Sequence, residues 1–416
     1  MKIPLSSPDI SDLEKSKVLE VLDTPNLSFG PKLEEFEKKF ADYIGCKHAV
    51  AVNSGTSGLH LCVRALGINE EELAITTPFS FISSANCMLF ERAKPVFVDI
   101  DEKTLNIDEN LMADTVRGLK KKGSELKAIL PVHVFGLPNE MDSMMGLAQR
   151  YDLFVIEDAC EAVGAEYLTK NSQLLPGSTE RDLKTQTRGS KKGDERNKKK
   201  EDEEIWRKVG TFGECGIFAF YPNKQITTGE GGMIVTDDEN IYRLCRSMRN
   251  QGRSEDGVWL QHERVGFNYR ISDINCALGI AQLERIDEIL GKRAKVARLY
   301  NERLKNVEEL ILPHSEENKK ISWFVYVIRL QDKYSREDRD RVLEKLKEKG
   351  IGCSNYFSPI HLQPFYRRLF GYKEGDFPVT EKVSERTMAL PFFNNLKEEE
   401  IDYVCENLIN IVRNIK

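Results

Sequence analysis

A chain of 416 residues exceeds one ordinary domain and predicts a large domain with a smaller one beside it. Apolar residues at 40% and charged residues at 31% are globular values, and a net charge of −6 excludes an electrostatic case for nucleic acid. No apolar run approaches the roughly 20 residues that span a bilayer, the opening MKIPLSSPDI lacks the layout of a signal peptide, and the 9 cysteines show neither CxxC nor metal-ligand spacing, so a cytoplasmic protein with no membrane or metal is expected.

In chain order, short apolar, β-branched runs alternate with amphipathic stretches, the pattern of a mostly parallel sheet wrapped by helices. The runs are His48–Val52, Leu73–Thr76, Pro95–Ile100, Ala128–Phe135, Leu153–Ile156, Gly216–Phe220 and Met233–Thr236. Helical patterns begin at Thr56, follow Phe81 and span Met141–Tyr151. Beyond Ile271 a long amphipathic stretch reads as one helix crossing into the smaller domain. The last hundred or so residues predict a strand over Trp323–Leu330, a helix over Arg336–Lys349 and a closing helix over Glu398–Ile415, a compact α+β cap. The domains are therefore placed at 1–280 and 281–416. Between them in character stands the segment 170–207, dense in both charges and nearly free of apolar periodicity, which is expected to be a mobile surface insertion. Its basic stretch Lys191–Lys200 has no interleaved aromatics and is followed by an acidic run, so it reads as a solvated loop.

Three segments carry candidate chemistry. A strand runs through Val52 into Asn53-Ser54-Gly55-Thr56-Ser57-Gly58 and a helix, whose unpaired N–H groups can bind a phosphate; an ordinary capped turn would look the same. The strand of LFVIEDACEAVGA ends in two carboxylates, where parallel sheets bind ligands. One acid there can hold a pyridinium N–H, and Asp158 can equally cap a following helix. In GIFAFYPNKQITTGEGGMIVT a strand leads to Lys224 beside a Gly229–Gly232 turn, a place suited to a Schiff-base lysine, though most lysines are solvated surface groups.

Phosphate turn, strand-end acid and strand-end lysine in this order, with the blocks PVFVDIDEKTLNID, PVHVFGLPNEMD, GFNYRISDINCALGIAQL, SPIHLQPFY and GDFPVTEKVSERTMALPFF, resemble the DegT/DnrJ/EryC1/StrS family of sugar aminotransferases. The resemblance runs from Phe29 to the C-terminal helix, apart from the charged insertion. It implies an α/β chain of fold type I, the aspartate-aminotransferase-like pyridoxal-phosphate transferases, with a mostly parallel seven-stranded sheet and a smaller C-terminal α+β domain. It further implies that Lys224 holds pyridoxal phosphate and shuttles protons, that Asp158 pairs with the pyridine nitrogen, and that Glu161 lies near the ring oxygen where the family commonly has Gln. Phe81 matches the aromatic that stacks on the ring, and Gly55, Thr56 and Ser57 form the phosphate turn. Asn268 would reach the cofactor of a neighbouring subunit, which implies a homodimer with shared sites. One departure is Ala219, where a serine is expected beside the phosphate.

The implied reaction takes an amino group, from glutamate by family habit, to a nucleotide-linked keto-sugar in the making of amino sugars for surface polysaccharide or glycoconjugate. A sugar dehydratase of the same family would typically carry histidine in place of Lys224, and a silent regulatory member would have no need of Lys224, Asp158 and the phosphate turn together. Specificity is expected in the cap around His361 and Phe365.

Overall fold

The structure, a computed structural model, describes residues 1–170, 204–254 and 260–415. Its centre is a seven-stranded sheet of order β1-β9-β8-β5-β4-β2-β3. The strands are β1 His48–Val52, β2 Leu73–Thr76, β3 Lys94–Phe97, β4 Leu126–Ile129, β5 Phe154–Asp158, β8 Cys215–Ala219 and β9 Gly232–Thr236. The pairs β3–β2, β2–β4, β4–β5 and β5–β8 are parallel, whereas β9 runs antiparallel to both β8 and β1. It follows that β1, β2, β4, β5 and β8 all point the same way, and their C-terminal ends share one edge.

Both faces of the sheet are covered, so its strands are apolar on both sides. Val50, Val52, Ile156, Ile217 and Ile234 pack with Leu59, Leu61 and Val63 of the helix Gly55–Ala65 and with Ile241 and Cys245 of the helix Glu239–Arg249. The intervening residues Ala49, Ala51, Phe218, Met233 and Val235 face Phe36 and Phe40 of the helix Pro31–Ile44 and Ile280 of the helix Asp273–Glu284. The period of two along each strand thus divides one set of residues between two cores.

Several elements differ from expectation for identifiable reasons. The run 128–135 is strand only as far as Ile129; beyond Pro131 the chain turns, and Phe135 takes a positive φ of 54° within the short 3₁₀ turn Val134–Gly136. The crossing helix is two helices, Asp273–Glu284 and Ile286–Leu304, broken at Arg285, whose side chain turns to Glu14 at 2.7 Å and Glu288 at 3.1 Å. At the charged insertion, β6 Glu166–Thr169 pairs antiparallel with β7 Ile205–Lys208, so Ile205, Trp206 and Arg207 are strand residues. That hairpin is joined by β11 Lys319–Lys320, whose Lys320 ammonium lies 4.1 Å from the Trp206 ring centre. The mobility expected of the rest of the insertion, including Lys191–Lys200, concerns residues 171–203, outside the described ones.

Towards the C-terminus β10 Leu310–Ile311, β12 Tyr326–Leu330 and β13 Thr387–Leu390 form an antiparallel sheet. Its apolar face packs with Tyr300, Val342, Leu346, Val404 and Leu408 from the helices Ile286–Leu304, Arg336–Glu348 and Glu398–Arg413. No helix among the described residues is long and apolar enough to cross a membrane.

Candidate active site

The edge where β1, β2, β4, β5 and β8 end gathers the residues singled out by sequence. At the end of β1, Ser54 caps the helix Gly55–Ala65, its hydroxyl accepting the Ser57 N–H at 3.1 Å. The Ser57 hydroxyl donates back to Asn53 at 2.7 Å, so Ser57 is buried in the turn it closes. The N–H groups of Gly55 and Thr56 have no acceptor among the described residues, as first-turn donors of a helix require a ligand or water. Gly55 is needed as glycine: a Cβ there would sit 2.9 Å from both Cys160 Sγ and Ala219 Cβ. Position 219, where a serine was expected, therefore does border the turn. Thr56 shares a hydrogen bond of 2.7 Å with Ser83. Asn268, exposed, lies beside the same turn, its carbonyl oxygen 3.5 Å from Asn53 Nδ2.

The two acids that end β5 have opposite fates, because neighbours on a strand face opposite sides. Glu157 is wholly buried and accepts N–H groups from Phe212 at 2.6 Å, Gly210 at 2.7 Å and Gly213 at 2.9 Å, with His133 Nε2 at 3.2 Å. Burial pushes its carboxyl up, but His133 and these N–H groups hold it below the usual range. It is a structural acid. Asp158 caps no helix; its Oδ1 accepts the Cys160 N–H at 3.1 Å and its Oδ2 the Ser84 hydroxyl at 2.6 Å. The same Ser84 hydroxyl lies 3.2 Å from the carbonyl oxygen of Phe81, whose ring is 63% exposed at the site edge. Ser84 and Ser83 were not singled out from sequence, although Phe81-Ile82-Ser83-Ser84 places a hydroxyl one helical turn from the aromatic.

Lys224 follows β8 and is held from several directions. Its carbonyl accepts Arg293 Nη2 at 2.8 Å, and its ammonium lies 3.9 Å from the centre of the Phe324 ring and 3.7 Å from Glu161 Oε1. Next door, Gln225 Nε2 donates to the Glu161 carbonyl at 2.6 Å and to the Ser322 carbonyl at 3.0 Å. Glu161 is buried, and its Oε2 accepts the Phe135 N–H at 2.8 Å. Burial pushes the Glu161 carboxyl above its usual range; Lys224 pulls it down and Asp158 pushes it further up, so it feels both groups. Phe324, Gln225 and Arg293 gave no local sequence signal, since each acts on Lys224 from a distant part of the chain or through the main chain.

An amine beside a buried acid, with unpaired helix N–H groups and an exposed aromatic along the same edge, is the arrangement with which fold type I enzymes hold pyridoxal phosphate, and fold and site together assign the chain to that class. The residues present fit the cofactor: the N–H donors of Gly55 and Thr56 are open to an anion, and Asp158 stands at the end of β5 on the same sheet edge. The DegT/DnrJ/EryC1/StrS aminotransferase family matches residues 8–409, and the chain belongs to that family. GDP-perosamine synthase of Caulobacter vibrioides is 35% identical, with 99% of this chain and 98% of the relative covered. The spore coat polysaccharide biosynthesis protein SpsC of Bacillus subtilis is 34% identical over 99% of this chain and 97% of its own length. Among solved structures, PseC of Helicobacter pylori, an aminotransferase involved in the biosynthesis of pseudoaminic acid, is 26% identical at a TM-score of 0.83, covering 99% of this chain and 100% of PseC. The chain is thus a pyridoxal-phosphate-dependent aminotransferase.

Proposed function

We propose that this aminotransferase moves an amino group, supplied by glutamate, onto the keto group of a nucleotide-linked sugar, in the making of amino sugars for surface polysaccharide or glycoconjugate. The observation that carries the reading is the Lys224 amine, set 3.7 Å from Glu161 on the edge shared with Asp158 and the open turn at Gly55. The relatives named for perosamine, spore-coat polysaccharide and pseudoaminic acid support a sugar as the acceptor.

Pyridoxal phosphate, when bound, supplies an electron-withdrawing ring that eases loss of a proton from carbon and carries the nitrogen between donor and acceptor. The protein's part is to bind, orient and move protons. The N–H groups of Gly55 and Thr56, with Ser57 behind them, hold the phosphate. Asp158, kept in place by Ser84 and the Cys160 N–H, favours a protonated pyridine nitrogen. Phe81 would stack on the ring, and Glu161 would contact its oxygen. Lys224 would hold the cofactor, and its amine would serve as the base and then the acid for the proton moved between carbons. Asn268, exposed beside the turn, completes a partner's phosphate site in a cytoplasmic homodimer. The chain divides near residue 280 into a cofactor domain and a C-terminal domain; selection of the sugar falls to the segment around Phe365, while His361, wholly buried with its Nε2 3.0 Å from Glu381, supports that segment from within.

The test is the absorbance spectrum of the purified protein loaded with cofactor. Adding glutamate should convert the visible band to that of the amine form, and a keto-sugar nucleotide should restore it; a band that no amino acid changes would count against transamination. In Lys224→Ala the lysine-dependent band and its response should both be absent.

A further inference from the structure

We propose that Glu161 is the proton acceptor for the Lys224 amine, converting it from ammonium to nucleophile, a role that rests on Lys224 being the cofactor-holding residue. Glu161 is fixed for this by contacts that leave one oxygen free. Its main-chain oxygen accepts Gln225 Nε2 at 2.6 Å and its Oε2 accepts the Phe135 N–H at 2.8 Å, which leaves Oε1 facing the lysine nitrogen at 3.7 Å. That gap exceeds a hydrogen bond and closes with a small swing of the unbranched lysine side chain.

Four ionisable groups among the described residues stand close to Glu161. Lys224 faces it from the loop after β8; Asp158 and Cys160 approach from its own segment; Tyr356 approaches from the C-terminal domain. Asp158 has both oxygens committed, to Ser84 and to the Cys160 N–H. Burial pushes both the Cys160 thiol and the Tyr356 hydroxyl up, so each keeps its proton near neutral pH. The Phe324 ring, 3.9 Å from Nζ, attracts the ammonium and offers no site for a proton. Glu161 alone of this set is placed and able to accept, and burial, which raises its carboxyl, favours the accepting direction.

The step balances simply. One N–H bond of the Lys224 ammonium breaks and one O–H bond forms on Glu161; a buried ion pair becomes a neutral pair, with no change in total charge and no oxidant or reductant. In a low-dielectric site the neutral pair is the less costly one. The lone pair freed on nitrogen makes Lys224 a nucleophile, and the proton on Glu161 remains at hand for the return step.

The experiment follows capture of pyridoxal phosphate by the cofactor-free protein, by rapid-mixing absorbance near neutral pH, with borohydride trapping and mass spectrometry to locate the adduct. Glu161→Gln keeps an acceptor for the Phe135 N–H but cannot take a proton, and it should slow capture by about 10²-fold, the lower end of general-base effects. Glu161→Asp should retain most of the rate. Glu161→Ala should be as slow as Glu161→Gln and regain at least about tenfold with formate, though not with formamide, as a supplied base would give. Capture by Glu161→Gln within about twofold of the wild type would overturn the proposal. Should that variant not fold, lack of rescue of Glu161→Ala by formate would overturn it instead. A wild-type protein that forms no adduct at Lys224 would sink the reading of function itself, which is a different result from an adduct that forms at Lys224 regardless of residue 161.

Discussion

The turn after β1 and the loop after β8 supply the two ends of the cofactor site, and they are built in opposite ways. The turn is local: Ser54, Asn53 and Ser57 satisfy one another within four residues of sequence. The lysine loop is held from afar, by Arg293 at a separation of 69 residues and by Ser322 through Gln225 at a separation of 97. A locally built turn can be altered residue by residue with small, additive effects, whereas a loop assembled from distant segments fails as a unit.

Five substitutions test this contrast, beginning with the largest expected effect. Lys224→Ala should lower glutamate-dependent transamination by roughly 10⁴-fold, because it removes both the group that would hold the cofactor and the amine that moves the proton. Asp158→Asn should reduce turnover by about 10²–10³-fold, as loss of a preorganised charge does, and should shift the cofactor's absorbance. Gln225→Leu strips the partner from two buried carbonyls, of Glu161 and Ser322, and should cost about 2 kcal/mol in a denaturant titration with a parallel loss of activity. In the turn, Ser54→Ala removes a helix cap and should cost only about 1 kcal/mol, with cofactor bound more weakly but turnover at saturation kept. A comparable loss of turnover from Ser54→Ala and Gln225→Leu would erase the distinction between the two regions. Ala219→Ser sharpens it further: a hydroxyl restored beside Gly55 should tighten cofactor binding by about three- to tenfold, the worth of one hydrogen bond.

The same contrast explains what could be read from sequence. The strands of the main sheet were visible because their apolar runs are continuous and short, and the turn because Ser54 and Gly55 are typical residues for a capped strand-to-helix junction. Lys224 and Asp158 were found by their places at strand ends. Phe324 and Arg293 were not, since an apolar residue before a strand and an arginine on a helix carry no mark of what they will touch; only tertiary packing brings them to Lys224. The helix break at Arg285 escaped notice for the same reason, because the ion pair with Glu14 joins residues 271 apart. Ile205–Arg207 was absorbed into the charged insertion because composition outweighed a strand of four residues.

The cage around Glu157 has a further consequence. A β5 displaced by one residue against β8 would exchange Glu157 and Asp158, leaving an uncompensated charge among apolar side chains and turning the caged acid outward. The donors at Gly210, Phe212 and Gly213 thus act as a proofreader of strand alignment, rewarding only the pairing in which the ligand-facing carboxylate ends up on the correct side.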